Sequence, residues 1–197
     1  GLGMSIVDSL ARAMGGRVCL VDSESGTVDI SESGTHTVGD AQAEAESAPD
    51  SGPDLGALAD AVTPATRAII VCSPNNPTGV ARPASDIAAM VERVPPSVLV
   101  IIDEAYIDFA TDPAVAPCTD LIGAHSNVLV MRTFSKAHAL AGLRIGYGLG
   151  DAGLIDAVQA LLVPFGVSGP AQAAALASLR GGTPMREAVR AITRERD

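Results

Sequence analysis

The chain has 197 residues, a net charge of −10 and 47% hydrophobic residues. That length is enough for one domain with a sizeable core, and the acidity argues against nucleic acid and anionic membranes as partners. Cys19, Cys72 and Cys118 are unevenly spaced without a Cys-x-x-Cys pair, and His36, His125 and His138 are scattered, so neither a disulfide framework nor a metal site is expected.

No apolar run reaches about 18 residues, so no membrane span is expected. The start, Gly1-Leu-Gly-Met-Ser, lacks a signal-peptide pattern. The cysteine usage suits a reducing compartment, and a cytoplasmic location is expected. The first residue is not Met, so the chain reads as beginning inside a larger gene product.

In chain order, Ile6 to Met14 is predicted as a helix ended by Gly15-Gly16, and Arg17 to Val21 as a short strand. Asp22 to Asp54 carries nine acids and no Lys or Arg. Such a composition cannot offset chain entropy by burial, so residues 31–53 are expected to form a disordered acidic insertion, with an acidic docking tail as the alternative. Leu55 to Val62 is a predicted helix. Arg67 to Cys72 is a predicted buried strand running into Ser73-Pro-Asn-Asn-Pro-Thr-Gly79, a rigid loop. Pro83 to Val94 is a predicted amphipathic helix stopped by Pro95-Pro96. Ser97 to Ile102 is an apolar strand ending in Asp103-Glu-Ala-Tyr106, and Asn127 to Met131 is another, followed by Thr133-Phe-Ser-Lys136. Tyr147 to Leu149 suits a return strand. Asp151 to Leu162, Ala171 to Leu179 and Met185 to Arg194 are predicted helices.

Continuous apolar strands alternating with helices indicate an α/β domain with a mainly parallel sheet. Ligands of such sheets bind outside the carboxyl ends of the strands. Three strand ends carry polar residues there: Asn76, Asp103 with Tyr106, and Ser135 with Lys136. A lysine at the end of a buried strand is desolvated, which disfavours its ammonium form; a neutral amine attacks a carbonyl to form an imine. The hydroxyls of Thr133 and Ser135 and the guanidinium of Arg144 suit a phosphate. Together these suggest pyridoxal phosphate (PLP). Taken alone, Ser-Lys favours a surface lysine, and Arg144 an ordinary salt bridge. Likewise Asp103 alone suits a helix N-cap, Tyr106 a packing aromatic and Asn76 a turn residue.

The ordered motifs Ser-Pro-Asn-Asn-Pro-Thr-Gly, Ile-Ile-Asp-Glu-Ala-Tyr, and Arg-Thr-Phe-Ser-Lys followed by Ala-Gly-Leu-Arg-Ile-Gly-Tyr resemble the fold-type I PLP-dependent aminotransferases of classes I and II, in particular the histidinol-phosphate aminotransferase branch. The resemblance implies a PLP-transferase large domain: a three-layer α/β/α architecture over residues 1–179, incomplete, with residues 180–197 opening a truncated carboxy-terminal region. It implies that Lys136 binds the cofactor and moves the proton at the substrate Cα, and that Asp103 pairs with the pyridinium nitrogen. Tyr106 and Asn76 are implied at the ring 3′-oxygen, and Thr133, Ser135 and Arg144 at the phosphate. Glu104 is expected to be solvated or to start a helix, and Asn75 and His138 to be structural. A cis Asn76–Pro77 bond is also implied.

The implied reaction is transamination between histidinol phosphate and 2-oxoglutarate, in histidine biosynthesis. The alternatives are an aromatic amino acid aminotransferase of the same branch, a threonine-phosphate decarboxylase, and a truncated non-catalytic relative. The implied partners are an amino donor, a 2-oxo acid and a second copy in a homodimer. The resemblance runs to about Leu179. The family's glycine-and-serine phosphate loop, its ring-stacking aromatic, its small carboxy-terminal domain and its substrate-carboxylate arginine have no counterpart here; Arg186, Arg190, Arg194 and Arg196 lie too early for the last.

Overall fold

Residues 17–22, 26–30, 53–162 and 164–196 are described in the structure, a computed structural model. The predicted helix over Ile6 to Met14 and the acidic segment over residues 31–52 lie outside the described residues.

Among the described residues six strands form one sheet: β1 (Arg17–Asp22), β2 (Gly26–Ile30), β3 (Thr66–Cys72), β4 (Leu99–Asp103), β5 (Val128–Thr133) and β6 (Gly146–Gly150). Their order is β2-β1-β3-β4-β5-β6. The four inner strands run parallel, and β2 and β6 pair antiparallel at the two edges. The mainly parallel sheet and the return strand agree with expectation. β2 has no counterpart among the predicted elements: it lies inside the acid-rich stretch, just ahead of the segment expected to be disordered, as a five-residue strand paired with β1.

Side chains of a strand alternate between faces, and here both faces are covered. On one face Ile69, Val71, Val100, Ile102, Val128 and Val130 pack under α1 (Leu55–Asp60) and α2 (Ala84–Arg93). On the other, Ala68, Leu99, Ile101 and Leu129 pack against Leu154, Ile155 and Val158 of α3 (Ala152–Ala160). Burial on both sides explains the unbroken apolar runs of β3, β4 and β5. Each such Val, Leu or Ile contributes about 1.5–3 kcal/mol.

Two helices start on side-chain caps where the sequence supplies an acid: Asp54 accepts from Ala57 N and Asp151 from Gly153 N, both at 2.9 Å. Arg93 of α2 pairs with Asp60 at the end of α1. Helix α4 (Gly169–Gly181) is capped by Ser168 and packs Ala171 and Ala175 against Phe134 and Ile145. It crosses the expected boundary at residue 179, and α5 (Thr183–Arg196) follows. Among the described residues no helix is long and apolar enough to cross a membrane.

Candidate active site at the carboxyl edge of the sheet

Strands β3, β4 and β5 are neighbours, and the register aligns their ends: Cys72 lies opposite Asp103, and Asp103 opposite Met131. The polar residues that follow each strand therefore emerge at one edge.

After β3 the chain makes the rigid loop that its composition predicts. Both X-Pro bonds, Ser73–Pro74 and Asn76–Pro77, are cis. Asn75 N donates to Val80 O at 2.8 Å, and Asn75 Nδ2 to Thr78 Oγ1 at 2.9 Å. Gly79 closes the turn at φ +74, a conformation that favours glycine. The loop presents Asn76, whose Nδ2 donates to the Tyr106 hydroxyl at 3.2 Å.

After β4, Asp103 Oδ1 accepts from Ala105 N at 2.9 Å, which fixes its carboxylate. The helical turn that follows, Ile107–Phe109, is capped by Tyr106, so Asp103 is not an N-cap. Burial pushes the Asp103 carboxyl above its ordinary value; the Ala105 N–H and the positive charge of Lys136 pull it back.

After β5, Thr133 Oγ1 accepts from Ser135 N at 3.0 Å. Phe134 turns inward, and Lys136 turns outward over Tyr106, its Nζ 4.9 Å from the ring centroid. Lys136 is exposed, contrary to the desolvation expected for it, because β5 ends at Thr133 and the chain has left the sheet before Lys136. It is the only lysine among the 197 residues. That count is a sequence signal as strong as its position.

Arg144 stands apart from the expected cluster. It ends the short turn Ala141–Leu143 at φ +52, and its Nη1 donates to the Ala141 carbonyl at 2.7 Å. Among the described residues no hydrogen bond links it to Thr133, Ser135 or Lys136. His138 is a structural tether, as expected: its Nδ1 lies 2.7 Å from Ser178 Oγ of α4.

Glu104 corrects the expectation of a solvated acid. It is 2% exposed. Its Oε2 accepts from Arg132 Nε and Nη2, both at 2.8 Å, and its Oε1 accepts from Cys118 N at 2.6 Å. The signal was the strand alternation, which puts Glu104 on the face of Ile102 and Arg132 on the face of Val130.

A cavity of about 360 Å³ opens beside Asn76 and Tyr106, lined also by Pro77, Phe109, Thr111 and Arg196; Asp103, Thr133, Ser135 and Lys136 do not line it. Arg196, which lies too early in the sequence for the substrate-carboxylate role, lines this cavity from the end of α5 and donates to Thr111 Oγ1 at 3.3 Å.

Comparison with known proteins shows the family. The profile of the family "Aminotransferase class I and II" matches residues 36–197. An aromatic amino acid aminotransferase of Mycobacterium marinum is 48% identical over 143 residues, which are 73% of this chain and 40% of that protein. One from Thermobifida fusca is 47% identical over 144 residues, again 73% and 40%. The crystal structure of histidinol-phosphate aminotransferase from Sinorhizobium meliloti, in complex with pyridoxal-5′-phosphate, is 34% identical with a TM-score of 0.67, over 72% of this chain and 38% of that one. The chain thus spans about 40% of the length of these curated relatives.

Proposed function

The chain belongs to the class I and II aminotransferase family, and from that membership we propose that the whole protein is a PLP-dependent aminotransferase acting on aromatic amino acids. The observation that carries this reading is the single lysine of the chain, set over Tyr106 at the strand edge that holds Asp103. The choice of substrate rests on the relatives. Those 48% and 47% identical are named for aromatic amino acids, and the histidinol-phosphate enzyme is 34% identical. Histidinol phosphate, the first expectation from the motifs, therefore gives way to the aromatic alternative.

The residues present fit the cofactor. Lys136 offers an amine, Asp103 a fixed carboxylate, and Asn76 with Tyr106 a hydrogen-bonded pair at the same edge. Lys136 would hold PLP covalently. Asp103 would face the pyridine nitrogen and hold its proton there. Tyr106 and Asn76 would donate to the 3′-oxygen, and Thr133 and Ser135 to the phosphate. Arg144 would join the phosphate by giving up its bond to Ala141. When bound, PLP supplies the electron sink that stabilises a carbanion at the amino acid Cα. The Lys136 amine would serve as the base that takes the proton from the amino acid Cα. The family resemblance also supports a homodimer, tested by light scattering of the whole protein.

The test is PLP titration followed by borohydride reduction and peptide mapping. Lys136 has no competing ε-amine, so a reduced adduct on the Lys136 peptide, absent in Lys136→Ala, is expected. With 2-oxoglutarate as acceptor, phenylalanine and tyrosine are expected to outpace histidinol phosphate. A folded protein without the adduct would overturn the reading, and a preference for histidinol phosphate would overturn the substrate.

A further inference from the structure

The chemistry above leaves the most deeply buried charge in the described chain without a task. Glu104 and Arg132 form a two-point ion pair, their side chains 1% and 17% exposed. Every lone pair that matters is used: two donors from Arg132 and one from the Cys118 backbone. Such a pair is not an efficient way to stabilise a core, since apolar residues of the same volume do as well or better. Its place suggests another use. Glu104 lies in the chain between Asp103 and Tyr106, and Arg132 immediately precedes Thr133. Alternation sends the pair to one face of the sheet and Asp103 and Thr133 to the other. The backbone bond from Glu104 N to Met131 O, at 2.9 Å, extends the β4–β5 ladder at the same level. The bond to Cys118 N ties in the segment that returns from Tyr106.

We propose that Glu104 and Arg132 are positioning residues, which lock the ends of β4 and β5 so that Asp103 and Tyr106 keep their places relative to Lys136. This inference rests on the reading of that edge as the PLP site. Arg132's planar guanidinium fits the task because a two-point bond fixes orientation as well as distance. Neither residue touches the cofactor in this scheme; both act through their neighbours.

Glu104→Gln tests it, because the amide keeps an acceptor for Cys118 N and loses the charge that holds Arg132. The readouts are PLP affinity and the pH midpoint of the visible band of the bound cofactor, at a temperature where circular dichroism shows the variant folded. Positioning predicts a loss of affinity of about tenfold or more and a displaced midpoint, because Asp103 no longer faces the ring nitrogen correctly. A merely stabilising pair would lower the melting temperature and leave both readouts unchanged in the folded variant, and that result would overturn the inference. Should Glu104→Gln not fold, the double variant Glu104→Met with Arg132→Met leaves no unpaired buried charge and gives the same comparison. A wild-type protein that takes up no PLP on Lys136 overturns the site reading and this inference together. Wild-type uptake with indifferent variants overturns this inference alone.

Discussion

Asn76 and Tyr106 stand thirty positions apart in the chain, and the amide of one donates to the hydroxyl of the other at 3.2 Å. The contact exists because β3 and β4 are adjacent parallel strands whose ends are level. It joins two residues that are both proposed to hold the cofactor. Asn76→Ala and Tyr106→Phe should therefore not be additive. A double-mutant cycle on PLP affinity is expected to give a coupling of about 0.5–1.5 kcal/mol. A coupling of zero would mean that the two groups act on the ligand independently.

Asp103 should cost the ligand-free fold something at neutral pH. Its carboxyl is held above the ordinary value of 3.8, first by burial, so the folded chain binds that proton more tightly than the unfolded chain. The stabilisation linked to it is complete below the unfolded value and is lost as pH rises through the folded one. Asparagine still accepts from Ala105 N and has no charge to bury. Asp103→Asn is expected to melt higher than wild type at about pH 7, with the gap closing toward about pH 4, while it loses PLP. Equal melting temperatures at the higher pH would show that burial of this carboxylate carries no penalty.

Gly146 is placed where a side chain cannot go. A Cβ built there would lie 2.7 Å from the Arg132 carbonyl oxygen. Gly146 pairs with Thr133 at the end of β5, so the strands must part to admit a methyl group. Gly146→Ala is expected to destabilise the protein by about 1–3 kcal/mol in urea unfolding. It should also weaken PLP binding, because Thr133 moves with the strand. A neutral substitution would mean that the β5–β6 edge is looser than its register implies.

Cys72 and Cys118 should be poor nucleophiles. Burial pushes the Cys118 thiol up to about 12, with the Glu104 charge adding to it. Burial and the Asp103 charge push Cys72 up to about 11. At about pH 8 the folded protein is expected to alkylate at both sites about 100-fold or more slowly than a free thiol, with Cys118 slower than Cys72. Urea should erase the difference. Peptide mapping after timed iodoacetamide treatment reads the rates; rapid alkylation of folded Cys118 would contradict its burial.

Most of the sheet and its edge was legible in the residues, because β3, β4 and β5 are unbroken apolar runs that end in polar motifs. β2 was hidden by its acidic surroundings, since a five-residue strand held mainly by its neighbour leaves little pattern of its own. Glu104 was misread because its partner is Arg132, distant in sequence and visible only once β4 and β5 are paired. Arg144 carries its expected residue type, but its turn at φ +52 folds the guanidinium back on Ala141, which no spacing rule reports. The substrate was not legible at all: the motifs serve the cofactor common to the family, and the proposal of aromatic donors rests on the names of relatives.

Asp103 and Glu104 are chemically near twins and sequence neighbours, yet one stands at the edge proposed for the cofactor and the other is buried against an arginine. Only the pleat of β4 separates them. The strand therefore behaves as if it had a reading frame of two. Inserting or deleting one residue between Leu99 and Asp103 would exchange the two carboxylates, burying the acid meant for the ligand and aiming the structural one at it. Substitutions along β4 can be graded in severity, but a single-residue length change there is a frameshift in space, and natural variation in this strand should be confined to replacements.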